Sequence, residues 1–152
     1  MFDKWSFAES QVVHTQVRVR YAESDQMGYA HHSSHVVWVE QGRVDWIAQT
    51  GMSYRELEAQ GVFMPVAKLE LRYKRPARFD DMLDVQTALV ELGHTRIVFA
   101  TRIGRQNDDA SHTIIADAQV LLATVDHSGH PIRMPDELRQ RFSAHLTDII
   151  QP

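Results

Sequence analysis

The residues best equipped for chemistry stand in one short run, Asp25-Gln26-Met27-Gly28-Tyr29-Ala30-His31-His32, between an alternating apolar stretch and a long hydrophobic one. A carboxylate held in a tight loop against the start of a helix faces backbone N–H groups with no intrahelical partner and the positive end of the helix dipole. Such a pair can act on a carbonyl: the acid takes a proton or attacks, and the amides receive the charge developing on oxygen. The plainer alternative is an aspartate that only caps its loop. Gly28 suits a tight turn because glycine reaches positive φ without steric cost.

His31, His32 and His35 invite comparison with a metal site, since residues four apart share a helix face and imidazole binds zinc-like ions. Only Asp25 and Glu40 stand nearby as oxygen ligands, and the set is read as holding no metal. Glu40, on an apolar helix and so expected to be buried, is a candidate to hydrogen-bond toward the loop. Its competing role is a structural ion pair with Arg43 or a strand arginine.

These residues need elements to hold them. In residues 13–21 the set Val13, Thr15, Val17, Val19 and Tyr21 alternates with His14, Gln16, Arg18 and Arg20, the period of a strand with one buried face. Ser33 and Ser34 are suitable N-caps for a helix running to about Thr50, with Gly51 at its C′ position. Val36, Val37, Trp38, Val39, Val44, Trp46, Ile47 and Ala48 spread around that helix, so a sheet wrapping around it is expected. Ser53 and Glu56 have capping-box spacing for a short helix over residues 53–60, closed by Gly61.

Four more alternating strands follow. Their expected inward sets are Ala67, Leu69, Leu71 and Tyr73; Leu83, Val85 and Leu89; Ile97, Phe99 and Ile103; and Ile114, Ala116, Ala118, Val120 and Leu122. Residues 76–81, Gly93-His94 and residues 106–110 read as turns. Pro135-Asp136-Glu137 opens a last helix with proline and acids in its first turn. The order β, α, short α, four β, α predicts an α+β fold with one curved antiparallel sheet around a central helix. Trp5, Trp38 and Trp46 are read as packing residues rather than ligand stackers.

Bulk properties remove several function classes. A chain of 152 residues matches one domain, and a formal net charge of −4 argues against a nucleic-acid partner. With no cysteine there is no disulfide, thiolate nucleophile or thiolate metal site. The start, Met1-Phe2-Asp3-Lys4-Trp5-Ser6, has no basic stretch leading into an apolar run, and no segment approaches the ~20 apolar residues of a membrane helix. A cytoplasmic protein without membrane insertion is expected.

Two blocks carry a likeness to a known family. Residues 21–43 contain Tyr-x-x-x-Asp-x-x-Gly-x-x-x-His followed by Trp38-Val39-Glu40-Gln41-Gly42-Arg43, and residues 71–81 read Leu-Arg-Tyr-Lys-Arg-Pro-Ala-Arg-Phe-Asp-Asp. Together they resemble the hotdog-fold acyl-coenzyme A thioesterases of the 4-hydroxybenzoyl-coenzyme A thioesterase type. The resemblance implies one hotdog domain across residues 1–152, with a core over about residues 12–126 and a C-terminal helix over about residues 135–146.

It also implies hydrolysis of an acyl-coenzyme A thioester without a cofactor, by a homodimer or dimer of dimers with sites at the subunit interface. Asp25 then takes the catalytic carboxylate's place, and the His32 backbone N–H that of the thioester carbonyl's donor. The His32 imidazole is a further candidate for orienting Asp25 or placing water. Lys74, Arg75 and Arg78 fall where the family holds the nucleotide end of coenzyme A, although solvated surface cations fit them equally. Tyr29, His31 and His35 fall around the acyl pocket. His31 and His35 depart from the pattern, which often has an aromatic residue and a tyrosine at those places.

Two other readings use the same residues. A hotdog hydratase or dehydratase would move protons at carbon with a histidine and an acid, and a non-catalytic acyl-ligand binding domain would keep the core without turnover.

Overall fold

The computed structural model describes residues 11–146. Five strands form one antiparallel sheet: β1 (Val13–Arg18), β2 (Val66–Tyr73), β3 (Met82–Leu92), β4 (Arg96–Gln106) and β5 (His112–Ala123), in the order β1-β3-β4-β5-β2. The helices are α1 (Ser34–Gln49), α2 (Tyr54–Ala59) and α3 (Asp136–Ser143), and a single 3-10 turn, Tyr21–Glu23, ends the β1 segment. A curved antiparallel sheet with a long helix against one face is the expected hotdog arrangement.

The two-residue period explains the sheet's inner face. Leu83, Val85 and Leu89 of β3, Ile97, Phe99 and Ile103 of β4, and Ala116, Ala118, Val120 and Leu122 of β5 are all buried. Trp38, Val39, Trp46 and Ile47 of α1 press on that face, each such side chain contributing about 1.5–3 kcal/mol on burial. The Trp46 ring centroid is 5.0 Å from that of Phe99 and 5.3 Å from that of Phe142 in α3, both edge-on, so the last helix closes the core. Trp38 and Trp46 are packing residues, and Trp5 lies outside the described residues.

Local signals set the helix ends. α2 carries the predicted capping box, with the Glu56 N–H donating to Ser53 Oγ and the Ser53 N–H donating back to the Glu56 carboxylate. α1 ends where expected, but neither Ser33 nor Ser34 caps its start through its own side chain. Ser33 Oγ lies 2.7 Å from His31 Nδ1, and the Ser34 hydroxyl donates to the Glu23 carbonyl.

Three expectations need correction. Tyr21 is not an inward strand residue: the chain turns before it, leaving it 82% exposed with its ring edge-on to Phe79. In β2, Ala67, Leu69 and Tyr73 are exposed and Leu71 half-buried, because β2 is an edge strand with α1 covering little of it. On β5, a register shift pairs Ile103 with Ala116 but Gly104 with Ile114, so the extra residue Ile115 is buried and Ile114 only half-buried. The face of α1 turned away from the sheet keeps Val36, Val37 and Val44 exposed.

The helix approaches the sheet most closely at Gly42. A Cβ there would collide with Thr87 Oγ1 and lie 2.9 Å from Val85 Cγ1, both on stiff β-branched side chains. Gly42→Ala is therefore expected to lower stability by about 1–2 kcal/mol in urea unfolding, overpacking outweighing the helix propensity gained. Adding Thr87→Ala should recover most of the loss. A Gly42→Ala protein as stable as wild type would show that the contact is not tight.

Candidate active site

The loop after the 3-10 turn is closed by its own backbone. Ser24 and Ala30 form an antiparallel bridge, the Asp25 N–H donates to the Tyr29 carbonyl at 2.7 Å, and the Gly28 N–H donates to the Asp25 carbonyl at 3.0 Å. Gly28 sits at φ +78°, a conformation that favours glycine. The Asp25 carboxylate completes the turn: Oδ1 accepts the Met27 N–H at 2.8 Å and the Tyr29 N–H at 3.2 Å. Oδ2 has no partner among the described residues. A hydrogen bond from the Ala30 N–H to the Ala77 carbonyl and a bridge between Tyr29 and Arg78 stitch the loop to the β2–β3 connection.

The start of α1 is held from the other side. The His31 N–H donates to the Glu23 carbonyl at 2.7 Å, and the Ser33 N–H donates to His31 Nδ1 at 3.2 Å. The His32 carbonyl accepts the Tyr73 hydroxyl at 2.9 Å. Among the described residues the His32 N–H has no acceptor. Its imidazole stacks on that of His31 at 4.1 Å and makes no hydrogen bond to Asp25.

Asp25 and His32 face a half-open cleft of about 380 Å³. Tyr29 and His35 line it from the loop and helix, and Tyr73, Lys74, Arg75 and Pro76 from the end of β2. The arrangement offers one unpaired carboxylate oxygen, one unpaired amide and a cationic rim in one space. That set can bind a carbonyl and activate water beside it. A slightly larger groove, about 410 Å³, crosses the outer sheet face, where Asp84 is engaged with His14 and Gln86 and Arg102 with Asp117. It holds no comparable carboxylate and amide pair.

Not every candidate reaches the cleft. Glu40 is not buried: its side chain is 66% exposed, it does not line the cleft, and its carboxylate lies 4.0 Å from Arg43 Nη2. His31 is turned to Ser33, and Arg78 lies over the Tyr29 ring, 5.5 Å from its centroid, so neither lines the wall. Lys74 is paired with Asp117 at 2.9 Å, whereas the Arg75 guanidinium has no partner among the described residues. The described residues contain no cluster of three or more acidic or histidine side chains set to hold a metal ion.

Two residues were missed from sequence. Tyr73, expected in the core, forms the cleft wall and holds the His32 carbonyl, and Glu23 holds the loop to the helix. Tyr73 could have been flagged by its place just before Lys74-Arg75-Pro76. For Glu23, the only signal was an acid two residues before Asp25.

Comparisons with known proteins point one way. A family model described as the thioesterase-like superfamily matches residues 19–142. The chain is 35% identical over 118 residues to the acyl-CoA thioester hydrolase YbgC of Escherichia coli, covering 78% of this chain and 82% of that protein. Among solved structures, a hypothetical protein from Thermus thermophilus superposes with TM-score 0.80 at 34% identity, covering 88% of this chain and 96% of its own. DHNA-CoA thioesterase from Staphylococcus aureus superposes with TM-score 0.80 at 26% identity, covering 88% and 89%.

The charge state of one buried group, His35, bears on the site. Burial pushes the His35 imidazole below its ordinary pKa; the His31 and His32 carbonyls oppose the shift, while the His32 ring adds to it. Nδ1 of that ring is buried without a hydrogen-bond partner. A depressed histidine means that the folded state binds fewer protons than the unfolded one, so its stabilising effect is full above about pH 6.5 and fades as pH falls toward the folded value. Thermal melts from about pH 7.5 to about pH 5 should show wild type losing more Tm than His35→Phe. Parallel loss in both proteins would remove His35 as the cause.

Proposed function

The chain belongs to the thioesterase-like superfamily, and we propose that it is an acyl-coenzyme A thioesterase, hydrolysing the thioester to a free acid and coenzyme A with Asp25 as general base or nucleophile. The observation that carries this reading is the pairing of an unengaged Asp25 Oδ2 with an unengaged His32 N–H on one cleft. The thioester carbonyl oxygen accepts the His32 N–H, whose donation strengthens as negative charge builds, a contact worth about 3–4 kcal/mol in the transition state.

Asp25 Oδ2 takes a proton from water attacking the carbonyl carbon, or itself attacks to give an anhydride that water opens. On the first route the coenzyme A thiolate leaves as the tetrahedral adduct of water collapses; on the second it leaves as the anhydride forms, before water releases the acid and restores Asp25. Thioester hydrolysis by this route draws on no metal and no cofactor. Arg75, with Lys74 and Arg78 beside it, supplies cations for the nucleotide phosphates, Lys74 being the one of the three with an acidic partner to surrender.

The same reading makes the working unit a homodimer or a dimer of dimers. β2 is an unpaired sheet edge with Val66, Leu69 and Tyr73 exposed, and Val36, Val37 and Val44 form an uncovered apolar strip on α1. The cleft lies where these two surfaces meet, between the end of β2 and the start of α1. A second copy laid along that edge covers the strip and closes the cleft.

Thiol release from a panel of acyl-coenzyme A thioesters tests the chemistry. Asp25→Asn is expected to lower kcat by at least about 100-fold while leaving the melting curve in place. Near-normal turnover by that variant rules out the mechanism. An enoyl substrate that gains water without releasing thiol would make the protein a hydratase, and saturable binding without thiol release would make it a binding domain. Val37→Glu, which places a charge on the apolar strip, should halve the mass seen by light scattering and reduce turnover with it; an unchanged mass would remove this strip from any interface.

A further inference from the structure

One heavily bonded buried acid is not used by the proposed chemistry. Glu23 stands between the end of the β1 segment and the second turn of α1. Its Oε1 accepts the Trp38 indole N–H at 3.2 Å and the Arg20 guanidinium at 3.0 Å, and its Oε2 accepts the Arg20 backbone N–H at 2.8 Å. Its own carbonyl accepts the His31 N–H at 2.7 Å and the Ser34 hydroxyl at 3.2 Å. Five donors thus converge on one residue, two from the strand exit and three from α1 and its approach.

The position of this knot matters more than its strength. Asp25 leaves Glu23 after one intervening residue, and His32 directly follows the residue whose amide Glu23 holds. We infer that Glu23 is a positioning residue for the reaction, its carboxylate anchoring the strand exit to Trp38 so that the Asp25 carboxylate and the His32 amide keep the separation a carbonyl group needs. Holding the His31 N–H on the Glu23 carbonyl fixes the peptide before His32 and leaves the next amide unengaged. This role rests on the thioesterase reading of the site.

The carboxylate is held in its ionised form. Burial alone would raise its pKa, but the hydrogen bonds from the Arg20 side chain and backbone and from Trp38, with the charge of Arg20, outweigh burial and leave it below the ordinary value. A neutral side chain of the same shape cannot replace it. Glutamine would turn an N–H₂ group toward one of the three donors the two oxygens now satisfy.

Glu23→Gln is expected to lower kcat for thiol release about 10–100-fold with KM within about threefold, because a displacement of about 1 Å between reacting groups has that effect on rate. A role in stability alone would lower Tm and leave kcat per folded molecule unchanged. Arg20→Met removes only an arm whose side chain is 71% exposed, so the fold survives it, and a smaller fall in kcat is expected. Arg20→Lys, which keeps a cation, should restore most of that loss.

Amide hydrogen exchange over residues 25–34 reads the clamp without reference to turnover, and should quicken in Arg20→Met and in Glu23→Gln. Wild-type kcat in folded Glu23→Gln, unchanged kcat in Arg20→Met, or unaltered exchange in that segment overturns the assignment. Failure of the thioesterase reading itself has a different signature, a wild-type protein that releases no thiol.

Discussion

A helix that is apolar around most of its circumference cannot be covered by one five-stranded sheet, and this mismatch governs the rest of the structure. The sheet takes Trp38, Val39, Trp46 and Ile47 and leaves Val36, Val37 and Val44 in water. The β2 edge, with its unpaired backbone and its exposed Leu69 and Tyr73, extends the same face. The cleft lies between the end of that edge strand and the start of α1.

Chemistry at such a seam needs rigid parts, because neither wall is buried deeply enough to be fixed by packing alone. Rigidity comes instead from short hydrogen bonds inside one stretch of chain. The Ser24 and Ala30 bridge closes the loop, Ala77 and Arg78 hold it from below, and Tyr73 fixes the carbonyl of His32. Tyr73 shows how tightly the functions are shared: a residue of the exposed edge strand is also cleft wall and support for α1.

The helices and most strands were legible in sequence because their signals are local. A capping box, a glycine after the last turn and a two-residue alternation depend on neighbours a few positions away. The Asp25 loop was legible for the same reason. What escaped depends on distant chain. Alternation in β2 reports a strand but not what lies against its faces, so Leu69 and Tyr73 read as core. The extra residue at Ile115 follows from pairing with β4, which no local pattern in β5 announces. Glu23 is hidden twice, since its key partner Trp38 lies on α1 and its other partner, Arg20, looks in sequence like an ordinary surface cation.

Asp25 shows why the side-chain length at this position matters as much as its charge. An aspartate carboxylate reaches the N–H two residues ahead, the geometry of an Asx turn, and here it also reaches the N–H four ahead. Both donors fall on the same oxygen, which fixes the side-chain torsions and leaves the second oxygen oriented but unengaged. A glutamate, one methylene longer, would carry equal charge without forming that turn and would lose the orientation. The carboxylate thus builds the loop that aims it, and the amide across the cleft is left unengaged by the mirror-image device, a neighbouring N–H bound elsewhere. Among the described residues, both the second Asp25 oxygen and the His32 amide are left unengaged because the groups around them are already satisfied.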